Sequence, residues 1–160
     1  MEQMENFIKV NFLPIWHHFL FFEINRSRAG LKMAGSANGF LVLQVICWHH
    51  ILVLMGSSQI NYKGMFRDEA VELWNKFGKI GFDTNTVLTY TLVSELTGLS
   101  IETVRRQVMK LQNNNWVQYS KRNGIKFQPS EENNKFLVDH FNAKEIEAFG
   151  HLLDIIEKKK

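Results

Sequence analysis

Hydrophobic and polar positions alternate along the chain in four distinct ways. The run FLVLQVICWHHILVLM, Phe40–Met55, is apolar on every side of a helical wheel. A helix of that kind has to be covered all round, and in a chain of 160 residues the simplest cover is a partner subunit. Upstream, Pro14–Asn25 is an apolar, aromatic helix candidate with Pro14 suited to a first turn. The stretch NRSRAGLKMAGSANG after it, with its glycines, serines and scattered cations, predicts a flexible loop. Gly56-Ser57-Ser58 closes the apolar run. Arg67–Phe82 then follows as an amphipathic helix, with Val71, Trp74, Phe77 and Ile80 set among Asp68, Glu69, Glu72 and Lys76. Gly81 and Asp83-Thr84-Asn85 predict its end and a turn.

The next segment carries the most mutually consistent cues. Tyr90–Thr97 reads as a short helix, Gly98-Leu99-Ser100 as a tight turn and Ile101–Asn113 as a longer helix. Gly98 suits the left-handed residue that ends a helix, Ser100 suits an N-cap, and Glu102 places negative charge in the first turn, where the helix dipole favours it. Val93, Leu96, Leu99, Val104, Val108 and Leu111 form the expected small core. Asn113–Asn115 stops the helix. Val117–Ser120 and Ile125–Phe127 are strand-like runs around Lys121-Arg122-Asn123-Gly124, where Asn-Gly signals a hairpin because both residues accept positive φ. Glu131–Phe141 and Lys144–Ile156 are two further helices, the last with Ile146, Phe149, Leu152, Leu153 and Ile156 on one stripe.

Helix, turn, helix and basic hairpin in this order predict a mainly α fold with a small β-hairpin wing: a winged helix-turn-helix with N- and C-terminal dimerisation helices. The expected division is 1–66 for the N-terminal apolar helices, 67–130 for the winged unit and 131–160 for the C-terminal helices. In such a unit the second helix enters the major groove and the wing, residues 117–128, meets flanking backbone or minor groove.

Charge sharpens this reading. The chain carries a net +3, yet residues 100–128 contain six cations and one acid, a local +5, which leaves the remainder at −2. On the expected outer face, Arg105 and Arg106 suit the O6 and N7 acceptors of guanine, and Gln107 suits adenine. Ser100 and Thr103, near the helix start, suit phosphate or a thymine methyl. Lys110, Lys121, Arg122 and Lys126 suit phosphate contacts that release counterions. The competing reading of the same residues is a solvated helix face and a charged turn.

The residues LVSELTGLSIETVRRQVMKLQNNNWV resemble the winged helix-turn-helix of bacterial transcription regulators, including the MarR group. FNAKEIEAFGHLLDIIEKK is similar to that group's closing, acidic amphipathic helix. The resemblance implies a homodimer with terminal helices at its interface, binding a pseudo-palindromic operator in double-stranded DNA.

Other chemistry is sparse. His17-His18 and His49-His50 are adjacent pairs whose rings diverge by about 100° on a helix, so neither pair chelates one ion, although one member of each could converge with Cys47. Cys47 lies between Ile46 and Trp48, an apolar setting that raises thiol pKa and makes the group inert. With no phosphate-binding glycine loop, HExxH or nucleophile elbow, neither an enzyme nor a metal or other cofactor is expected. The sixteen residues of Phe40–Met55 fall short of the roughly 20 a membrane span needs, so no span is expected. Phe7–Phe22 has no basic region before it and no small-residue cleavage site after it, which predicts a cytoplasmic protein. Aromatic crowding in the first half leaves room for a small-molecule effector between subunits. The expected function is therefore a homodimeric, sequence-specific transcription regulator. The alternatives are a winged-helix protein-interaction module and, more remotely, a membrane-peripheral protein using Phe7–Phe22.

Overall fold

The computed structural model describes residues 2–56, 64–80 and 87–158, with backbone alone at Glu2 and over 74–80. The chain is mainly helical with one two-stranded antiparallel hairpin. Its elements are α1 (Glu2–Val10), α2 (Phe12–Ala34), α3 (Ala37–Gly56), α4 (Arg67–Ile80), α5 (Tyr90–Thr97), α6 (Ile101–Asn113), β1 (Val117–Ser120), β2 (Gly124–Phe127), α7 (Glu131–Lys135), a π-helical segment (Phe136–Asn142) and α8 (Ala143–Lys158). The expected turn at Gly81 and Asp83-Thr84-Asn85 lies outside the described residues, as do Ser57-Ser58 and the side chains of Trp74, Phe77 and Ile80.

The expected loop after Asn25 is helix instead. α2 continues nine residues further, to Ala34, because Arg, Ala, Leu, Lys and Met are good helix formers and because Gly30 serves packing rather than flexibility. A Cβ at Gly30 would stand 2.3 Å from Cζ of Phe40. The bare backbone there lets the Phe40 ring of α3 lie directly on α2. The helix ends at Gly35 (φ 75°), and Ser36 begins α3, its Oγ accepting from Gly39 N–H at 2.9 Å.

α3 is 20 residues long, four more than the apolar run suggested, so length no longer argues against a membrane span; by length and composition α3 could cross one. Nor is it covered all round within one chain. Val42, Leu43 and Ile46 are buried, while Trp48, Ile51, Leu52 and Met55 are exposed. Its buried side packs against α5, α6 and β2. Together with Leu88, Val93, Val104, Val108, Leu111, Trp116, Val117, Ile125 and Phe127 it makes the main core. This core crosses the division expected at residue 66, because α3 supplies the third wall that the short helices α5 and α6 need.

Leu96, expected in that core, is 47% exposed. With α5 only eight residues long, one inward position, Val93, is fully buried, and Leu99 in the turn is partly so. The hairpin pairs Val117 with Phe127 and Ser120 with Gly124, leaving a three-residue turn, Lys121-Arg122-Asn123. Positive φ is confined to Gly124 (66°) in this turn, not shared with Asn123 as Asn-Gly suggested. A side chain at Gly124 would also meet the carbonyl oxygen of Leu88 at 2.5 Å. That close approach lets Ile125 N–H donate to Leu88 O at 2.9 Å, tying the segment before α5 to the hairpin edge.

The two helices expected at the C-terminus are one continuous helical rod, 131–158, interrupted by the π turn rather than a loop. α8 runs antiparallel to α2. His18 meets His151 (ring centroids 6.4 Å apart), Phe22 meets Phe149 (5.9 Å), and Arg26 Nε donates to Glu145 Oε1 at 2.7 Å. Of the expected α8 stripe, Leu152 is buried, whereas Ile146, Phe149 and Leu153 are close to half exposed.

Candidate nucleic-acid interface

α6 is held from both its ends and its inner face. Ser100 Oγ accepts from Thr103 N–H at 3.2 Å, the cap its sequence predicts, and donates to Thr103 Oγ1 at 2.9 Å. Gly98 ends α5 with φ 70°. Val104, Val108 and Leu111 are at most 1% exposed. Rotation of α6 is thereby fixed, and its outward residues are Ile101, Glu102, Arg105, Arg106, Met109 and Lys110.

Gln107 is not among them. Placed on the outer face by its neighbours in the sequence, it points inward and is 9% exposed, and its Oε1 accepts from Ser36 Oγ at 3.0 Å. The residue follows Val104 by three positions and precedes Leu111 by four, so helical spacing sets it on the buried stripe. A buried, engaged amide has no free edge for adenine, so Gln107 is removed from the reader set.

The two arginines differ. Arg105 lies with its guanidinium 5.7 Å from the centre of the Tyr90 ring and 3.8 Å from Glu102 Oε2. Tyr90 in turn packs on Tyr119 of β1, with ring centroids 4.7 Å apart. Arg105, Tyr90 and Tyr119 thus join the start of α5, the outer face of α6 and the hairpin. Partial burial raises the Tyr90 pKa, with Tyr119 adding to the effect and Arg105 opposing it. Arg106 is the freer group, touching Thr103 Oγ1 at 3.4 Å. Sequence reasoning passed over both tyrosines, whose aromatic content was visible but whose meeting across 29 residues was not. It also passed over Met109, 55% exposed in the middle of the cationic face, which is a match for a thymine methyl.

Lys121 and Arg122 are exposed at the hairpin turn, and Lys126 is half-buried on β2. Ser120 Oγ accepts from Asn123 N–H at 3.1 Å and stiffens this turn. Ser100, Thr103, Arg105, Arg106, Lys110, Lys121, Arg122 and Lys126 therefore all retain solvent access on the helix and hairpin.

The metal reading of the histidines fares differently. Among the described residues no group of three or more His, Cys, Asp or Glu side chains is placed to hold an ion. His18 meets its neighbour His17 and, across to α8, His151, whereas His50 packs on Phe127 with ring centroids 5.5 Å apart. Burial, aided by His49, lowers the His50 pKa to about 4. Burial pushes the Cys47 thiol up to about 12, with the Glu145 charge adding to it.

Comparison with protein-family models, with curated proteins and with solved structures finds no match to this chain.

Proposed function

We propose that the chain is a winged helix-turn-helix protein of MarR-like organisation that binds double-stranded DNA sequence-specifically as a homodimer and regulates transcription, without enzymatic activity, in the cytoplasm. One observation carries this reading: the locked helix α6 turns Arg105, Arg106, Met109 and Lys110 outward while the adjoining hairpin tip presents Lys121 and Arg122. A rigid helix with arginines on its exposed face suits the major groove, and basic residues at a hairpin tip suit the flanking phosphates. Arg106 is the leading base reader because its partner is a neutral hydroxyl. Arg105 is braced by Tyr90 and Glu102 and is suited to a fixed approach. In this reading α3 is a core helix rather than a membrane span, since Val42, Leu43 and Ile46 lie against α5, α6 and β2.

Selection from a random duplex pool, followed by anisotropy titrations across a salt series, tests the proposal. A preferred sequence should emerge, with log K falling linearly in log salt. Arg106→Ala should cost about 1–3 kcal/mol and relax preference at one base position. Lys121→Gln and Arg122→Gln should each lower the salt slope by about 1 without changing preference.

A second reading rests on the apolar side chains that α5 and the start of α6 leave in solvent: Leu92 at 38%, Leu96 at 47% and Ile101 at 44% exposure. They suit a protein partner docking on the same unit. Absence of duplex binding even at low salt, where electrostatic association is strongest, would favour that reading.

A further inference from the structure

Arg105 has a support that Arg106 lacks, and three elements build it. Leu88 O, just before α5, accepts from Ile125 N–H of β2 at 2.9 Å. Ile125 stands opposite Tyr119 of β1 in the hairpin register, and Tyr119 packs on Tyr90 with ring centroids 4.7 Å apart. Tyr90 is the first residue of α5, where Thr89 Oγ1 accepts from Leu92 N–H at 3.2 Å and caps the helix. These contacts close a circuit, from Leu88 through Ile125, Tyr119 and Tyr90 back along the chain, so the hairpin places the Tyr90 ring as much as α5 does. Gly124 permits the closure, since a side chain there would meet Leu88 O at 2.5 Å.

The Arg105 guanidinium lies 5.7 Å from the centre of that ring. Its carboxylate neighbour, Glu102, is 3.8 Å away, and the two side chains are 54% and 66% exposed, so water weakens the pairing. The ring is a second support, and unlike Glu102 it is tied to two other elements. A long side chain held in place before DNA arrives has less freedom to lose on binding, and paired donation to guanine O6 and N7 requires a defined guanidinium plane. Arg106 has the Thr103 hydroxyl at 3.4 Å and, among the described residues, no aromatic ring against it. Building on the DNA reading above, we propose that Tyr90 and Tyr119 are positioning residues that set the base preference of Arg105 without touching DNA: β1 holds Tyr119, Tyr119 seats Tyr90, and Tyr90 aims the guanidinium at one guanine edge.

Binding of the full chain to its selected duplex and to every single-base variant of that duplex tests this. Arg105→Ala should erase discrimination at one base pair of each half-site. At that pair Tyr90→Leu should lower discrimination about two- to fivefold, the size of an exposed cation–π contact. Tyr119→Leu should act in the same direction, and Tyr90→Phe, which keeps the ring, should match the wild type. Tyr90→Leu added to Arg105→Ala should change nothing further there, and the pair identified by Arg106→Ala should keep its preference in both tyrosine variants. Circular dichroism checks the fold of each variant, and Tyr119→Leu, on a different element, decides the matter if Tyr90→Leu is unfolded. Uniform loss at every base pair, a Tyr90→Phe profile like that of Tyr90→Leu, an unchanged profile in both leucine variants, or wild-type preference in Arg105→Ala would each overturn the brace and leave DNA binding standing. A wild type with no duplex preference would remove the DNA reading and this inference with it.

Discussion

Ser36 Oγ donates to Gln107 Oε1 across 3.0 Å, joining the turn between α2 and α3 to the inner face of α6. The same hydroxyl accepts from Gly39 N–H at 2.9 Å, so one side chain both starts α3 and anchors α6. The rotational setting of the proposed reading helix is thus tied to the N-terminal helices, seventy-one residues away in sequence.

Ser36→Ala should destabilise the chain by about 1–3 kcal/mol, since it leaves a buried amide oxygen without its donor and α3 without its cap. Adding Gln107→Leu should recover part of the loss, because exchanging both polar partners for apolar groups removes the unsatisfied oxygen. Urea unfolding of the single and double variants measures this. Gln107→Leu should also keep the DNA preference of the wild type; a changed preference at one base would restore Gln107 as a reader.

The exposed face of α2 turned away from α8 should pair with a second copy. Leu13, Trp16, Leu20, Ile24 and Leu31 are 79%, 41%, 47%, 63% and 48% exposed, and they recur at the three-, four- and seven-residue spacings of one helical stripe. From Leu13 to Leu31 this stripe runs roughly 27 Å. So long an apolar surface marks an interface. Sedimentation equilibrium at micromolar concentration should report a dimer, and Leu20→Glu with Ile24→Glu should give a folded monomer with DNA affinity at least tenfold weaker. A monomeric wild type would refute the pairing.

Stability should fall as the pH drops from about 6.5 to about 4. The folded pKa of His50 is lowered to about 4 from 6.5 by burial and by His49. Between these values the unfolded chain takes up a proton that the folded chain refuses, so unfolding is favoured as pH falls, and the contribution is fully present above the unfolded pKa. His49, lowered in the same direction by burial, adds to the trend. Urea midpoints measured from pH 7 to pH 4 should decline in the wild type and less steeply in His50→Leu; parallel slopes would show that His50 does not drive the decline.

Much of the local architecture was legible without coordinates. Tyr90–Thr97 and Ile101–Asn113 have the boundaries their capping residues predict, because Gly98 and Ser100 satisfy helix ends within a few residues of themselves. The hairpin was equally local, apart from its turn, where Gly124 alone takes the left-handed conformation and a side chain there would meet the Leu88 carbonyl. Gly30 misled for the complementary reason: it reads as a breaker, yet it is the place where the Phe40 ring seats on α2, a contact between two helices.

The sequence by itself determined the mainly helical character, the caps, the hairpin and the clustering of positive charge between residues 100 and 128, since each depends on neighbours a few positions apart. Only the tertiary structure decided that α3 walls the same core as α6, that Gln107 faces Ser36, and that Arg105 lies over Tyr90. Those outcomes depend on which faces of distant helices meet, and that choice is made by packing, which periodicity within one segment does not specify.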